Sequence, residues 1–371
     1  MKLEISTGFM LGAIIISLIS TNLTFASNQQ SLSITSNGTI SYPSVANPIK
    51  KSLICFGVDN TFWHDGSGDW HSDNAAWASK FDMVVCGPTV TNVATVKALN
   101  PNIVVLGYKD LVGMKEDMDD WAVVNQHEDW FMHDIYGNRL QTDPNLWSWW
   151  LMNISNPGYR QHLVDYCTNF LTTRNFDGVF CDDPWLGVWK DWFTWKYPAN
   201  TIPNTPNWAN DMKSLLTLLK QQIGSKLLTV NYDASELPYS DGIWMENFVA
   251  YGIDTPTWDG YTPIRWVDTL YQNSASGKIV VAFCHYPRNM DYNDFRFAFG
   301  CYLLGINGPN TYFNWIDIWS PSHGYYPEMD TNLGAPLGAY QVQNGLYIRN
   351  FTNLQVIVNM TAQTVQLLPQ S

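Results

Sequence analysis

The chain has 371 residues, 46% of them hydrophobic, enough for a buried core and too many for a disordered or fibrous chain. Lysine and arginine number 20 against 33 aspartates and glutamates, and the formal charge of -13 with no basic stripe excludes nucleic acid as a partner. Its 18 Trp, 19 Tyr and 17 Phe point instead to apolar faces offered to a neutral ligand.

Residues 1–26 read as an export signal. Lys2 begins it, Phe9 to Ile19 form an apolar stretch, and Thr24-Phe25-Ala26 offers a cleavage site before Ser27. The stretch is shorter than the roughly 20 apolar residues of a membrane span. A secreted or extracellular protein is expected, held at the cell surface if the segment stays uncleaved. No later segment is apolar for long enough to span, so no other membrane contact is expected. Residues 27–51, rich in Ser, Asn, Thr and Pro, read as a linker.

From Ser52 onward short apolar runs recur, separated by helical stretches. They are Leu53–Val58, Asp82–Gly87, Ile103–Tyr108, Gly178–Asp182, Leu227–Tyr232, Gly242–Glu246, Ile279–His285 and Thr311–Trp315. Continuous rather than alternating apolar residues suit parallel strands covered on both faces. Eight of them over residues 52–320 match an α/β chain folded as a (β/α)8 TIM barrel, with an open doubly wound sheet as the other architecture. Only about ten residues part the fifth and sixth strands, too few for a full crossover helix, so that helix should be rudimentary. Two helices are well marked. Asn156 and Pro157 open one whose stripe is Tyr159, Leu163, Cys167, Phe170 and Leu171. Thr205 and Pro206 open another, striped by Trp208, Met212, Leu215, Leu216, Leu219 and Ile223 and stopped by Gly224. Residues 335–371 should form a small antiparallel β appendage, with strands Leu346–Phe351, Leu354–Asn359 and Thr364–Leu368. The six cysteines at 55, 86, 167, 181, 284 and 301 include no CxxC pair, and four lie in predicted strands, so core thiols are expected.

No GxSxG elbow, phosphate loop, HExxH or dinucleotide fingerprint occurs, and no cofactor or metal is called for. Asp65-Gly66-Ser67-Gly68-Asp69 lacks the glycine and terminal glutamate of a calcium loop and reads as a solvated acidic turn. What stands out is an echo. Asp177-Gly178-Val179-Phe180-Cys181-Asp182 and Asp241-Gly242-Ile243-Trp244-Met245-Glu246 share Asp-Gly, three apolar residues and a carboxylate. Each second acid ends a predicted strand, and strand C-termini carry the active sites of such barrels. Glycoside hydrolysis needs such a pair: one acid protonates the leaving oxygen while the other attacks the sugar or activates water. Asp182 and Glu246 are the catalytic candidates. Each could instead cap a following helix. Asp183 would point to the opposite side if its strand continued, as a supporting residue. Asp59, Lys109, Asn231, Asp233, His285 and Asn314 stand at other strand ends and are candidate substrate contacts. Trp147, Trp149, Trp150, Trp185, Trp189, Trp192 and Trp195 cluster near this region. Indole faces stack on sugar C–H faces, so two or three of them, with Trp185 foremost, are expected to line the cleft.

The elements Trp130-Phe131-Met132-His133-Asp134, Tyr136-Gly137-Asn138, Met152 to Arg160 and Phe176 to Asp183 together resemble hypothetical glycosyl hydrolase family 15. The resemblance covers about residues 52–368, including Arg349-Asn350-Phe351 and Val358-Asn359. It implies a (β/α)8 barrel followed by a small β domain, as in many α-glycosidases. Carried over from retaining α-glycosidase barrels, it makes Asp182 on the fourth strand the nucleophile and Glu246 on the sixth the acid/base. Many of those relatives have Asp at the second position.

The expected function is a secreted glycosidase, an O-glycosyl hydrolase acting by double displacement on a polysaccharide or glycan. The rivals are a non-catalytic carbohydrate-binding protein on the same barrel and, behind it, a metal-dependent hydrolase, for which the seven His are too scattered.

Overall fold

The computed structural model describes residues 49–54, 72–142, 148–186, 197, 199–231, 234–249, 262–285, 292–316 and 324–370. The expected signal, the acidic turn at 65–69, Cys55 and the linker up to residue 48 lie outside the described residues.

Eight parallel strands close a barrel in chain order: β1 (Lys50–Ile54), β2 (Met83–Cys86), β3 (Val104–Asp110), β4 (Gly178–Asp182), β5 (Leu227–Asn231), β6 (Gly242–Glu246), β7 (Ile279–His285) and β8 (Thr311–Ile316). β1 begins two residues inside the segment read as linker. β3 runs two residues past the predicted end, which moves one site residue, as described below. Helices α1 (Ser72–Ala78), α2 (Val93–Leu99), α3 (Pro157–Thr173), α4 (Trp208–Ile223), α5 (Pro263–Ser274) and α6 (Tyr292–Gly305) occupy the crossovers. Between β5 and β6 a 3-10 helix, Ala234–Tyr239, stands in for the missing one. Asn156 caps α3 by accepting from the N–H groups of Gly158 and Tyr159, and all five residues of the predicted stripe are buried. α4 starts two residues later than Pro206 suggested, with its apolar stripe buried and Gly224 closing it at φ 61°.

The N-terminal end of the barrel is pinned by a repeated device. Asp82, Asp177 and Asp241 precede β2, β4 and β6. Each carboxylate accepts an amide N–H of the strand before it: Lys51 at 2.7 Å, Val105 at 2.8 Å and Leu228 at 2.8 Å. Each backbone carbonyl accepts from the strand beyond the one it precedes, from Val104 on β3, Leu227 on β5 and Ile279 on β7. Lys97 and Lys220 pair with Asp177 and Asp241, each at 2.7 Å. Gly178 and Gly242 follow because the next strand passes too close for a side chain. A Cβ there would lie 2.3 Å from the Leu227 carbonyl oxygen and 2.4 Å from Ile279 Cβ. The Asp-Gly half of the echo is therefore structural.

The C-terminal sheet has four antiparallel strands, one more than predicted: β9 (Gln341–Gln343), β10 (Leu346–Asn350), β11 (Leu354–Asn359) and β12 (Thr364–Pro369). Asn344 and Gly345 both take positive φ, as a two-residue hairpin turn requires. The sheet packs on α6 at Gly300, where a Cβ would sit 2.5 Å from a Val365 methyl. Arg349, 2% exposed, donates to the carbonyls of Leu303 and Leu304 at the C-terminus of α6 and to that of Gly338. A cation there satisfies orphan carbonyls and meets the negative end of the helix dipole. A further short pair, Gly113–Met114 with Trp150–Leu151, escaped sequence reading. The thiols of Cys86, Cys167, Cys181, Cys284 and Cys301 are free and buried.

Gly178→Ala and Gly242→Ala should each lower unfolding free energy by about 1–3 kcal/mol through overpacking against the neighbouring strand. Gly87→Ala, where the nearest atom would be 3.7 Å away, should stay within about 0.5 kcal/mol of the parent in the same urea titration.

Candidate active site

The pleat decides which side chains face the barrel axis. Counting inward positions back from the strand ends gives Tyr108 and Asp110 on β3, Phe180 and Asp182 on β4, Thr229 and Asn231 on β5, and Trp244 and Glu246 on β6. Asp110 and Asp182 are register partners. One inward position below the acids runs an aromatic band. Tyr108 meets Phe180 at 5.9 Å between ring centroids, Phe180 meets Trp244 at 5.1 Å, and Trp244 meets Phe283 at 5.8 Å. The acids thus sit on an apolar floor.

Asn231 joins the two candidate catalytic acids. Its side-chain amide nitrogen donates to Asp182 Oδ1 at 2.8 Å and to Glu246 Oε2 at 2.6 Å, so those oxygens stand no more than about 5.4 Å apart. Asp182 Oδ2 accepts from the Tyr108 hydroxyl at 2.8 Å, and Oδ1 also accepts from the Asp183 N–H at 3.0 Å. Burial, followed by the charges of Glu246 and Asp110, pushes the Asp182 carboxyl up to about 7, against the pull of Asn231 and Tyr108. The hydrogen bonds accepted by both of its oxygens favour the ionised form against that push. A proton shared within this cluster is better placed on a neighbour.

Asp110 was not singled out from sequence. Its Oδ1 accepts from the N–H groups of Val112 and Gly113 at 2.8 and 2.6 Å, and burial raises its pKa against those bonds. Gly113 is required there, because a Cβ would fall 2.2 Å from Asp110 Oδ2 and 3.0 Å from the Trp149 ring. The signals in sequence were the two-residue continuation of β3 and the Asp-x-x-Gly turn, Asp110-Leu111-Val112-Gly113. Tyr108, the donor to Asp182, was read only as the last apolar residue of its strand.

Other expectations need correction. Lys109 does not reach the site, because the longer β3 turns it outward toward α3. There its ammonium, 4% exposed, bonds Asp120 at 2.8 Å and lies 4.6 Å from the Tyr166 ring centroid. His162 meets the same Asp120 oxygen at 2.9 Å. Burial would raise Asp120, but Lys109 and His162 bring it down to about 2. Asp183 does not continue the pleat. Its φ of 53° breaks the alternation, a left-handed conformation that Asp tolerates better than most residues. Its carboxyl is raised first by burial and then by Asp182, Asp110 and Glu246, which places it beside the cluster. Trp185 offers no open face. It is 4% exposed, packs against Trp149 with ring centroids 6.0 Å apart, and its carbonyl accepts from the Trp208 indole N–H. Trp149 is also buried, and Trp150 is half-buried.

Asn314 on β8 is fully buried at an inward position, and neither its amide oxygen nor its nitrogen has a hydrogen-bond partner among the described residues. Asp59, Asp233, Trp147, Trp189, Trp192, Trp195 and the side chain of His285 lie outside the described residues. Among the described residues no group of three His, Cys, Asp or Glu side chains could hold a metal ion. Among them, too, no helix is long and apolar enough to cross a membrane.

A closed parallel barrel with acids at the C-terminal ends of its third, fourth and sixth strands is the architecture of a glycoside hydrolase-like protein. The chain belongs to hypothetical glycosyl hydrolase family 15, whose sequence profile matches residues 97–355. None of the curated proteins compared matches the sequence. Among solved structures it is similar to a noncanonic maltogenic α-amylase, AmyB from Thermotoga neapolitana. That pair shares 13% identity over 85% of this chain and 86% of the other, with a TM-score of 0.54, a likeness of fold. It also matches the glycoside hydrolase domain of PelA from Pseudomonas aeruginosa, with 17% identity over 77% and 97% of the two chains and a TM-score of 0.46. Aspergillus fumigatus Ega3, solved in complex with galactosamine, matches at 15% identity over 74% and 93%, with a TM-score of 0.44.

The raised Asp182 pKa fixes the sign of a pH effect. The folded chain binds more protons than the unfolded one between about pH 4, where a free Asp titrates, and about 7. Its contribution to stability is complete below that window and is lost as pH rises through it. Urea unfolding from pH 4 to 8 should show stability falling with pH. Asp182→Asn should flatten that slope and exceed the parent at pH 8 by a margin of order 1–4 kcal/mol.

Proposed function

We propose that this chain is an exported glycosidase that cleaves O-glycosidic bonds of a polysaccharide or glycan with retention of configuration. The observation that carries the reading is the single Asn231 amide bonded to both Asp182 and Glu246. A carboxyl separation of about 5–5.5 Å suits double displacement, whereas inversion needs about 6.5–9.5 Å to admit a water. The bridge holds the nearer oxygens no more than about 5.4 Å apart, short of the second range, which supports the retaining reading.

The steps follow from the protonation argued above. In the first, the Asp182 carboxylate attacks the anomeric carbon, the glycosidic C–O bond breaks, and protonated Glu246 delivers its proton to the departing oxygen. A covalent glycosyl–Asp182 ester results. In the second, the Glu246 carboxylate takes a proton from water, whose oxygen attacks the anomeric carbon and releases Asp182. The aromatic floor keeps the reacting region dry, so the acid holds its proton near neutrality. Asp110, with one oxygen tied to backbone amides, stands beside the oxocarbenium-like transition state, where its ionised form would add negative charge.

The test is hydrolysis of a panel of α- and β-linked glycans, with products followed by proton NMR at the anomeric signal. Retention is expected. Asp182→Asn and Glu246→Gln should each reduce kcat by about 10³-fold or more while circular dichroism stays unchanged. Undiminished hydrolysis by both variants would sink the catalytic reading. Glycan binding that survives both, with no product from any panel member, would instead indicate a carbohydrate-binding protein on this barrel.

A further inference from the structure

We propose that the outer face of the C-terminal sheet is a second binding surface, one that takes a strand of neutral glycan apart from the acids in the barrel mouth. It goes beyond the reading of Asp182 and Glu246, because binding here needs neither acid.

Strand alternation sorts the side chains of β9–β12 into two faces. Arg349, Val356, Val358 and Val365 are buried on the face that packs on α6, at Gly300 and at the carbonyls of Leu303 and Leu304. The other parity faces away. In its middle row Gln341, Ile348, Ile357 and Gln366 stand side by side across the four strands. One flanking row holds Asn350, Gln355 and Leu368. The other holds Gln343, Leu346, Asn359 and Thr364. Every one of these side chains is exposed or half-buried, and none carries a charge. In a chain that is 14% charged, residues 335–371 hold a single charged residue, Arg349, and it is spent on the inner face.

Solvent-facing strands are ordinarily guarded by charge, lysine above all. Here amides take that place. Each offers two hydrogens and an accepting oxygen, the same mixed capacity as the hydroxyls of a sugar. Between Gln341 and Gln366, Ile348 and Ile357 form an apolar strip for sugar C–H groups. The amides brace one another: Asn350 Oδ1 accepts from Gln355 at 2.8 Å and Gln370 at 3.3 Å, and Gln341 Oε1 accepts from Gln343 at 3.4 Å. Such bracing lowers the cost of ordering them on a ligand. An acidic polymer would meet no cation on this face and a net charge of -13 behind it, and a basic one would meet no acid. A second copy of the chain fits poorly by area. Four strands about 4.8 Å apart, with about five residues each at 3.3 Å, cover roughly 300 Å². A stable protein interface buries about 800 Å² on each partner. A single glycan strand needs only a strip of the face.

The test is affinity electrophoresis of the full chain carrying Asp182→Asn, which prevents cleavage. Gels contain an α-glucan, a β-glucan, a mannan or a galactan, with polygalacturonate as the acidic comparison. At least one neutral polymer should retard the chain and polygalacturonate should not. Adding Gln355→Ala with Gln366→Ala should weaken that retardation about tenfold in Kd. Gln341→Glu with Gln366→Glu, both at exposed positions, should weaken it likewise without touching the packing on α6, and stands in if the alanine pair fails to fold. Absence of retardation by every neutral polymer, retardation that both pairs leave unchanged, or equal retardation by polygalacturonate would overturn the proposal. A doubling of mass in light scattering that the glutamate pair abolishes would assign the face to a second copy and overturn it too. Turnover by Asp182→Asn and Glu246→Gln decides the catalytic reading alone, so the two failures are distinguishable.

Discussion

Strand register is the constraint on which the site depends. In a closed parallel barrel a slip of one residue would exchange every inward side chain for an outward one, and the acids would leave the axis. The chain fixes register at the end opposite the site. Asp82, Asp177 and Asp241 each clasp the strand before them through the carboxylate and the strand beyond the one they precede through the carbonyl. These clasps fall before alternate strands, and Asn310 occupies the corresponding place before β8, where its carbonyl accepts from Val280. Gly178 and Gly242 let the clasped strands approach. Five residues beyond each of two clasps, the same pleat delivers Asp182 and Glu246 to the other rim.

At that rim two opposing effects set protonation. The floor of Tyr108, Phe180, Trp244 and Phe283 removes water and disfavours charge, while donors aimed at particular oxygens favour it. Burial alone would tend to protonate every acid present. The Tyr108 hydroxyl and the Asn231 amide pull Asp182 back toward its ionised form, and two backbone amides do so for Asp110, while burial still leaves both raised. Placing several acids in one apolar mouth is costly, and donor placement decides which of them carries the negative charge.

Much of the fold was legible because parallel strands covered on both faces leave continuous apolar runs, and the Asp-Gly echo marked two of them. The short fifth crossover was legible by counting residues between runs. The third strand's end was not. Tyr108 closes the apolar run, but backbone pairing with β4 carries on through Lys109 and Asp110. That extension reverses the facing of Lys109 and brings in Asp110. Lys109 looked like a ligand-facing cation, and only tertiary structure supplies Asp120, His162 and Tyr166 as its outer partners. The tryptophans misled for a related reason. Trp149 and Trp185 lie close to the site in sequence and space, yet their rings are spent on each other and on the Gly113 turn that holds Asp110. Asn231 reads in sequence as one polar residue ending a strand, and nothing local says that its two hydrogens serve two other strands.

The echo assigns one residue type two opposite tasks. At the N-terminal end Asp177 and Asp241 are each tied to a backbone amide and a lysine, and such satisfied acids stabilise the strands they join. At the C-terminal end Asp182 receives only neutral donors among its described partners and faces other carboxyls. A cation of the Lys97 kind beside Asp182 would lower its pKa and stabilise the fold, and it would also blunt Asp182 in its proposed role as nucleophile. The chain instead sends Lys109 to the outer side of β3, where its buried pairing with Asp120 fixes the strand's orientation. That choice holds Tyr108 and Asp110 inward, so the stability kept out of the site returns to it as geometry.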